Sequence, residues 1–567
     1  VNTNSQKNFE KLFDELVKEK FYIHNKLFLE LPFCEIEDIG QYIPIFTKKC
    51  SQGLNNQLSP VKIIEESCSK DLDLHDDPEQ HKALFKILQF VERQIALFDA
   101  LEEAAFEQVH NLNGDGTLTH LQTKVKTQNR IPQLRNALQT YKVRVVLTAH
   151  PTQFYTYAVL GIITDLAHAI RADDQSKIKK LLTQLGQTPF TNKHKPTPLD
   201  EAQSLVWYLE KAFYGALGQM QDKLNQTVGE ILENSCFQLG FWPGGDRDGN
   251  PSVTAETTKQ VPILLRKSIL KLYLRDIESL QRRLTFGELP AKLHSIHDRV
   301  SAKIEEESSN AYQDPEELTN DLIALRRELS KEYQGLFREE LDLFIAKVKV
   351  FGFHFASIDL RQDSTVHTKA LHELETSDPA QITQLSLETL SSLRIARDIQ
   401  AVNGQAALDR YIVSNTHSEQ DVLNVIELAE LSGWSKEELT LDIMPLFESI
   451  EDLAEASEIM CSLYSNAAYM SHLQRRQNKQ MIMLGFSDGT KDGGYVTANW
   501  SIYKAKQQLT AISRQFGIKV IFFDGRGGPP ARGGGNTHSF YRSLGSEIEQ
   551  LETHLTIQGQ TISSSYG

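Results

Sequence analysis

The chain has 567 residues, with 60 Lys+Arg against 75 Asp+Glu, a formal net charge of −15 and a hydrophobic fraction of 40%. That length and apolar content exclude a disordered or fibrous chain and allow a large core without staples. The acidic balance argues against general nucleic-acid or membrane-surface binding, while leaving room for a local basic pocket that takes an anion.

Five cysteines, Cys34, Cys50, Cys68, Cys236 and Cys461, lie far apart with no CxxC pair. They read as free thiols in a reducing compartment, not as a disulfide framework or a zinc site. No run reaches the ~18 apolar residues of a membrane helix, and the start VNTNSQKNFEKL has no apolar signal core. A cytoplasmic protein is expected. The chain does not begin with Met, consistent with a start that has been trimmed or replaced.

Residues 1–140 read as a helical region. Its clearest stretch, HKALFKILQFVERQIALFDALEEAAF, places Leu84, Leu88, Val91, Ile95, Phe98 and Leu101 at three-to-four spacing, which predicts a buried stripe. The turn-rich NLNGDGTLT at 111–119 follows it.

From 141 to 567 the pattern changes to short apolar runs ending in polar and glycine residues. They are VRVVLTAHPT (143–152), CFQLGFWPGGDRDGN (236–250), VFGFHFASIDLRQDS (350–364), RYIVSNT (410–416), LDIMPLFES (441–449), MIMLGFSDGTKDGG (481–494) and IKVIFFDGRGGPPARGGG (518–535). Charged helical segments separate them, with long insertions at about 153–233 and 255–345. Continuous apolar runs suit strands buried on both faces, and their alternation with helices predicts βα units. Polar residues at the ends of all seven runs favour an α/β barrel over a doubly wound sheet, because a (β/α)8 barrel draws its site from many strand ends. Only seven strands are visible, so an incomplete, open barrel with large helical elaborations is expected.

The strand ends carry the chemistry. Arg526 and Arg532 stand among Gly525, Gly527, Gly528, Gly533, Gly534 and Gly535, where backbone N–H groups and guanidinium forks could hold a phosphate or carboxylate. A structural glycine turn and an RGG nucleic-acid segment are the alternatives. Glu448 and Asp488 each end an apolar strand; together they could hold Mg2+ or Mn2+, or pair with a nearby Arg or Lys. His150 ends the first run, where a hydrogen-bonded structural histidine competes with a catalytic one. GGDRDGN (244–250) could be a self-contained polar turn or support for neighbouring site residues. Spacing alone thus reaches a barrel-like enzyme with a metal and an anionic substrate, and does not name a reaction.

In this order, VLTAHPTQ, WPGGDRDGNPSVT, GFHFASIDLRQDS, MPLFES, MLGFSDGTKDGG and GRGGPPARGGG resemble the motifs of phosphoenolpyruvate carboxylase of the bacterial and plant type, over roughly residues 140–567. The resemblance implies a lyase that carboxylates phosphoenolpyruvate with bicarbonate to oxaloacetate and phosphate, an anaplerotic carbon-fixing step beside the tricarboxylic acid cycle. It implies Glu448 and Asp488 as ligands of Mg2+ or Mn2+, and Arg361 and Arg526 as grips on the phosphate and carboxylate, with Gly527 and Gly528 in the same loop. Lys491 and Arg532 would place bicarbonate. Bicarbonate would attack phosphorus to give carboxyphosphate and the enolate of pyruvate, and His150 would assist release of CO2, which the enolate attacks. A tetramer is implied for the full-length protein.

Three departures stand out. Gln153 occupies a position where the family usually has Glu, and Asp524 one where it has His, adding negative charge beside the anion loop. The family also continues for several hundred residues more, including its last barrel strand. The missing length and the unpaired strand edges of an open barrel predict an inactive fragment of the enzyme; a family-derived binding or regulatory protein without catalysis, suggested by Asp524 and the missing length, is the alternative.

Overall fold

The computed structural model describes residues 9–29, 31, 37–148, 155–190, 196–305, 310–376, 378–525 and 537–557. Eight parallel strands close a barrel in sequence order. They are β1 (Lys142–Leu147), β2 (Phe237–Phe241), β3 (Ser357–Asp363), β4 (Arg410–Ser414), β5 (Asp442–Phe447), β6 (Lys479–Gly485), β7 (Lys519–Gly525) and β8 (Glu552–Ile557).

The α/β barrel with helical elaborations is therefore present, but the seven-strand, open form is not. β8, with sequence ETHLTI, pairs with β1 along its whole length, from Lys142↔Glu552 to Leu147↔Ile557. It meets β7 through Phe523↔His554 and Asp524↔Leu555. Its polar residues hide it from a search for apolar runs. Glu552 and His554 share a 2.8 Å bond, both little exposed, and the His554 ring meets Phe523 edge-on at 6.2 Å. Closure leaves no strand edge unpaired, which removes the open-edge reason for expecting an inactive chain.

The barrel interior is layered. A dry band is built from Val146, Trp242, Ile412, Met444, Leu446, Met481, Met483, Ile521 and Phe523. Toward the N-terminal end of the strands lies a polar layer. There Arg144 of β1 donates to both carboxylate oxygens of Asp359 on β3, at 2.7 and 3.0 Å, with both side chains fully buried. Trp242 Nε1 donates to the same carboxylate at 3.1 Å. Gly240 makes the room: a Cβ there would sit 2.6 Å from Arg144 Nη2 and 2.7 Å from Val146.

Helices cover the outside. Four long ones connect β1 to β2 (Tyr157–Arg171, Gln175–Gln187, Pro198–Tyr208 and Tyr214–Val228), and four connect β2 to β3 (Ala255–Arg283, Leu289–Glu305, Pro315–Glu332 and Arg338–Phe351). The last of these takes in Val350 and Phe351, and Gly352 (φ +51°) and Phe355 (φ +61°) turn the chain so that the strand begins only at Ser357. His354 therefore lies in the turn before the strand, not within it. Before β1, the helix Asp77–Val109 packs on Tyr157–Arg171 through a separate apolar cluster. Its buried face is not the stripe expected from spacing. Leu101 is buried, but Leu88 and Ile95 are 61% and 51% exposed, and the core face runs through Ile87, Phe90, Leu97 and Ala100. The helix is apolar on two faces, and periodicity does not say which of them finds a partner. No helix among the described residues is long and apolar enough to cross a membrane.

Candidate active site

The C-terminal rim of a parallel barrel collects loop residues from many strands, and among the described residues this rim carries Arg361, Glu448, Asp488 and Lys491. After β2 the chain turns through Gly244 (φ +82°) and lays Gly245 against β3 so closely that a Cβ would collide with the Asp359 carbonyl oxygen. The Arg247 N–H donates to the Arg361 carbonyl at 2.9 Å, and the Arg361 N–H to the Gly245 carbonyl at 3.1 Å. That bridge sets Asp246 beside Arg361, whose Nε and Nη2 donate to its two carboxylate oxygens at 2.7 and 3.0 Å. Asp248 stands 3.8 Å from Nη2, and the guanidinium carbon lies 4.8 Å from the Trp242 ring centroid. GGDRDGN is thus support for a neighbour: it aims Arg361 and fixes its plane.

Glu448 follows β5, immediately before Ser449, which caps the helix Ile450–Ser465. Burial pushes the Glu448 carboxyl up to about 7; Arg361 opposes the shift, and the charges of Asp488 and Asp248 add to it. No base lies within ion-pair distance of it among the described residues. Gly485, at the end of β6, leaves the space it occupies, since a Cβ would stand 3.1 Å from both Cα and Cγ of Glu448. Asp488 opens the helix Ser487–Gln515 and accepts from Lys491 Nζ at 2.7 Å, both side chains being well exposed. An exposed pair of this kind is worth about 0–1 kcal/mol and exchanges readily.

Of the residues expected at the site, Arg361, Glu448, Asp488 and Lys491 therefore meet at one rim. His150, Gln153, Arg526, Gly527, Gly528 and Arg532 lie outside the described residues. Among the described residues no group of three or more His, Cys, Asp or Glu side chains has metal-binding geometry. Two carboxylates with a cradle for one of them do fit a divalent cation that keeps waters and substrate oxygens as its other ligands. Trp242 and Gly485 were missed by sequence reasoning, and neither a lone Trp nor a lone Gly carries a signal that would have found them.

Asp524 does not face this rim. Its neighbour Phe523 belongs to the barrel interior, so the alternation of the strand turns Asp524 outward. There Lys506 Nζ lies 2.7 and 2.8 Å from its carboxylate oxygens and Tyr541 donates at 2.8 Å, with Asp524 and Lys506 almost fully buried. The negative charge is spent on the outer helix and kept from the anion loop. Asp524→Asn should strand the Lys506 charge and cost about 3 kcal/mol. Combining it with Lys506→Met should restore much of the loss; chemical denaturation followed by circular dichroism reads both, and equal stability of single variant and parent would refute the pairing.

The raised Glu448 carboxyl has a signed consequence. An acid whose folded-state value exceeds its unfolded value binds more protons when folded, so its contribution to stability falls as pH rises from about 4.5 to about 7. Glu448→Gln in metal-free protein should therefore be more stable than the parent at pH 8, by up to about 3 kcal/mol. The advantage should vanish at pH 4. Denaturation midpoints at the two pH values test it, and a pH-independent difference would show that Glu448 is well solvated.

Similarity to known proteins agrees with this geometry. The family model described as phosphoenolpyruvate carboxylase matches residues 70–293, 283–379 and 375–567. The chain belongs to the phosphoenolpyruvate carboxylase family. Among curated relatives, the phosphoenolpyruvate carboxylase of Aromatoleum aromaticum is 28% identical over 547 residues, covering 80% of this chain and 60% of the relative. That of Xanthomonas campestris pv. campestris is 27% identical over 519 residues, covering 77% and 57%. That of Rhodopseudomonas palustris is 29% identical over 524 residues, covering 76% and 56%. The chain thus spans about three-fifths of the length of these relatives.

Proposed function

We propose that the rim of this barrel is built for the carboxylation of phosphoenolpyruvate with bicarbonate to oxaloacetate and phosphate. The observation that carries the reading is a half-buried Glu448 with no basic partner in ion-pair range among the described residues, close to the charge of Asp488 and beside an Arg361 already oriented by Asp246. Arg361 is held in one plane for an anionic group of the substrate, and stacking on Trp242 keeps that plane as substrate comes and goes. Glu448 and Asp488 would hold Mg2+ or Mn2+, which would supply electrophilic charge for the developing enolate and phosphoryl oxygens. Lys491, on the exposed rim beside Asp488, is placed to leave that carboxylate and meet bicarbonate. His150, Arg526 and Arg532 enter the reading through the resemblance of their motifs. A reducing, cytoplasmic setting and a homo-oligomer belong to the same proposal.

The test is oxaloacetate formation by the chain with phosphoenolpyruvate, bicarbonate and Mn2+, coupled to NADH oxidation. Arg361→Lys should lower the rate by about 10²–10³, because an ammonium cannot reproduce the fork and a lost transition-state contact costs about 3–4 kcal/mol. Near-parent activity of that variant would remove Arg361 from the reaction. Turnover absent from the parent, together with absent Mn2+ binding, would defeat the reading for this chain.

A further inference from the structure

One cavity lies apart from the barrel rim and has no part in the carboxylation reading. It encloses about 390 Å3 in the helical layer, where the helix Asp77–Val109 meets Tyr157–Arg171 and Pro198–Tyr208. Its lining is aromatic at Phe13, Phe106, Trp207 and Tyr208, acidic at Asp99, Glu102 and Glu103, and includes His110 at the end of the acidic helix. Asp99 and Glu102 are three apart on one helix and share a face.

The acids are poorly compensated. Glu103 is held by Arg171 at 2.6 Å. Among the described residues Asp99 has only a neutral partner, the Tyr155 hydroxyl, which donates at 2.7 Å. Glu102 stands at the rim without a basic partner among the described residues, and burial together with the Asp99 charge raises its carboxyl above the usual range. A second, independent feature lies in the same lining. Tyr208 is fully buried and its hydroxyl has no hydrogen-bond partner among the described residues. Tyr208 lines the cavity beside Trp207, whose ring meets its own edge-on at 5.1 Å. A buried hydroxyl left unpaired is costly and calls for an explanation.

The chemistry of an occupant follows by elimination. An anion would meet two carboxylates and the negative faces of the aromatic rings. A neutral apolar guest would strip water from Asp99 and Glu102 and give nothing back. A bare inorganic cation could reach the acids but leave the aromatic lining dry and untouched. An aliphatic ammonium satisfies both parts of the lining, its charge against the carboxylates and its carbons against the rings.

We infer that this cavity binds a small organic cation, an aliphatic amine or diamine, with an ammonium at Asp99 and Glu102 and its chain along Phe106 and Trp207. The inference is independent of the carboxylation reading. It is tested on the whole chain with 1,4-diaminobutane as probe, by calorimetry and by fluorescence with Trp207→Phe as the blank. Saturable binding is expected, with the fluorescence change lost in Trp207→Phe. Glu102→Gln, a rim substitution that leaves the core intact, should weaken binding about tenfold. Tyr208→Phe should also weaken it, while a role for Tyr208 in packing alone would leave affinity unchanged. No saturable heat at millimolar probe, equal binding of 1,4-butanediol, displacement by KCl or MgCl2 beyond ionic-strength screening, or unchanged affinity in Glu102→Gln would each overturn it.

Discussion

Replacing Asp359 by asparagine is expected to destabilise the protein by about 3–5 kcal/mol, the largest stability loss anticipated for a single isosteric change. Asp359 is fully buried inside the barrel and takes two bonds from Arg144 and one from Trp242. Without its charge the Arg144 guanidinium is left in a closed interior that holds Arg410 as well. Removing both charges should hurt less, because the cost comes from the stranded partner and not from the absence of attraction. Comparing Asp359→Asn with Arg144→Met and with the double variant, by urea denaturation, measures the coupling. A single variant within about 1 kcal/mol of the parent would mean that water reaches Arg144.

Glu448→Gln is expected to weaken Mn2+ binding by at least roughly 100-fold, since a direct ligand should matter no less than the surrounding groups whose loss costs 10–100-fold. The amide keeps the shape that Gly485 accommodates but removes the negative charge. Binding to the parent should also weaken by about tenfold for each pH unit below about 7, where the Glu448 carboxyl takes up its proton and the cation must displace it. Electron paramagnetic resonance of free Mn2+ measures both effects without requiring turnover. Unchanged affinity in Glu448→Gln would mean that the acid pair at the rim serves another purpose. Asp488→Asn should show the smaller effect of the two, because its carboxylate is exposed and shared with Lys491.

The two variants mark two layers of one barrel, and the layers were legible in the sequence to different degrees. Strands β4 to β7 announce themselves as apolar runs because both of their faces are buried, one by the interior and one by helices. Glu448, Asp488 and Arg361 stand out for the same reason: a charge at the end of such a run is costly unless it has work or a partner. β8 escaped because its inward face is polar, with Glu552 and His554 in the charged layer and Thr556 level with Val146. A strand that lines a polar interior alternates like a surface strand, and nothing local separates the two.

The sequence by itself carried the family through the resemblance of its ordered motifs, and its apolar runs marked the barrel class and the strand ends that bear Arg361, Glu448 and Asp488, since burial restricts composition strongly over short spans. What only the tertiary structure decided was partnership. Asp246 is 115 residues from Arg361 and Arg144 is 215 from Asp359, and no local pattern pairs groups at that range. A basic partner for Asp524 was to be expected beside the glycine-rich loop, but only strand alternation, which turns it outward, names Lys506 as that partner. Likewise the helix Asp77–Val109 carries two apolar faces, and the one buried is the one that its neighbouring helices happen to meet. Local sequence sets which surfaces must leave water; the closed geometry of the chain sets which of them find each other.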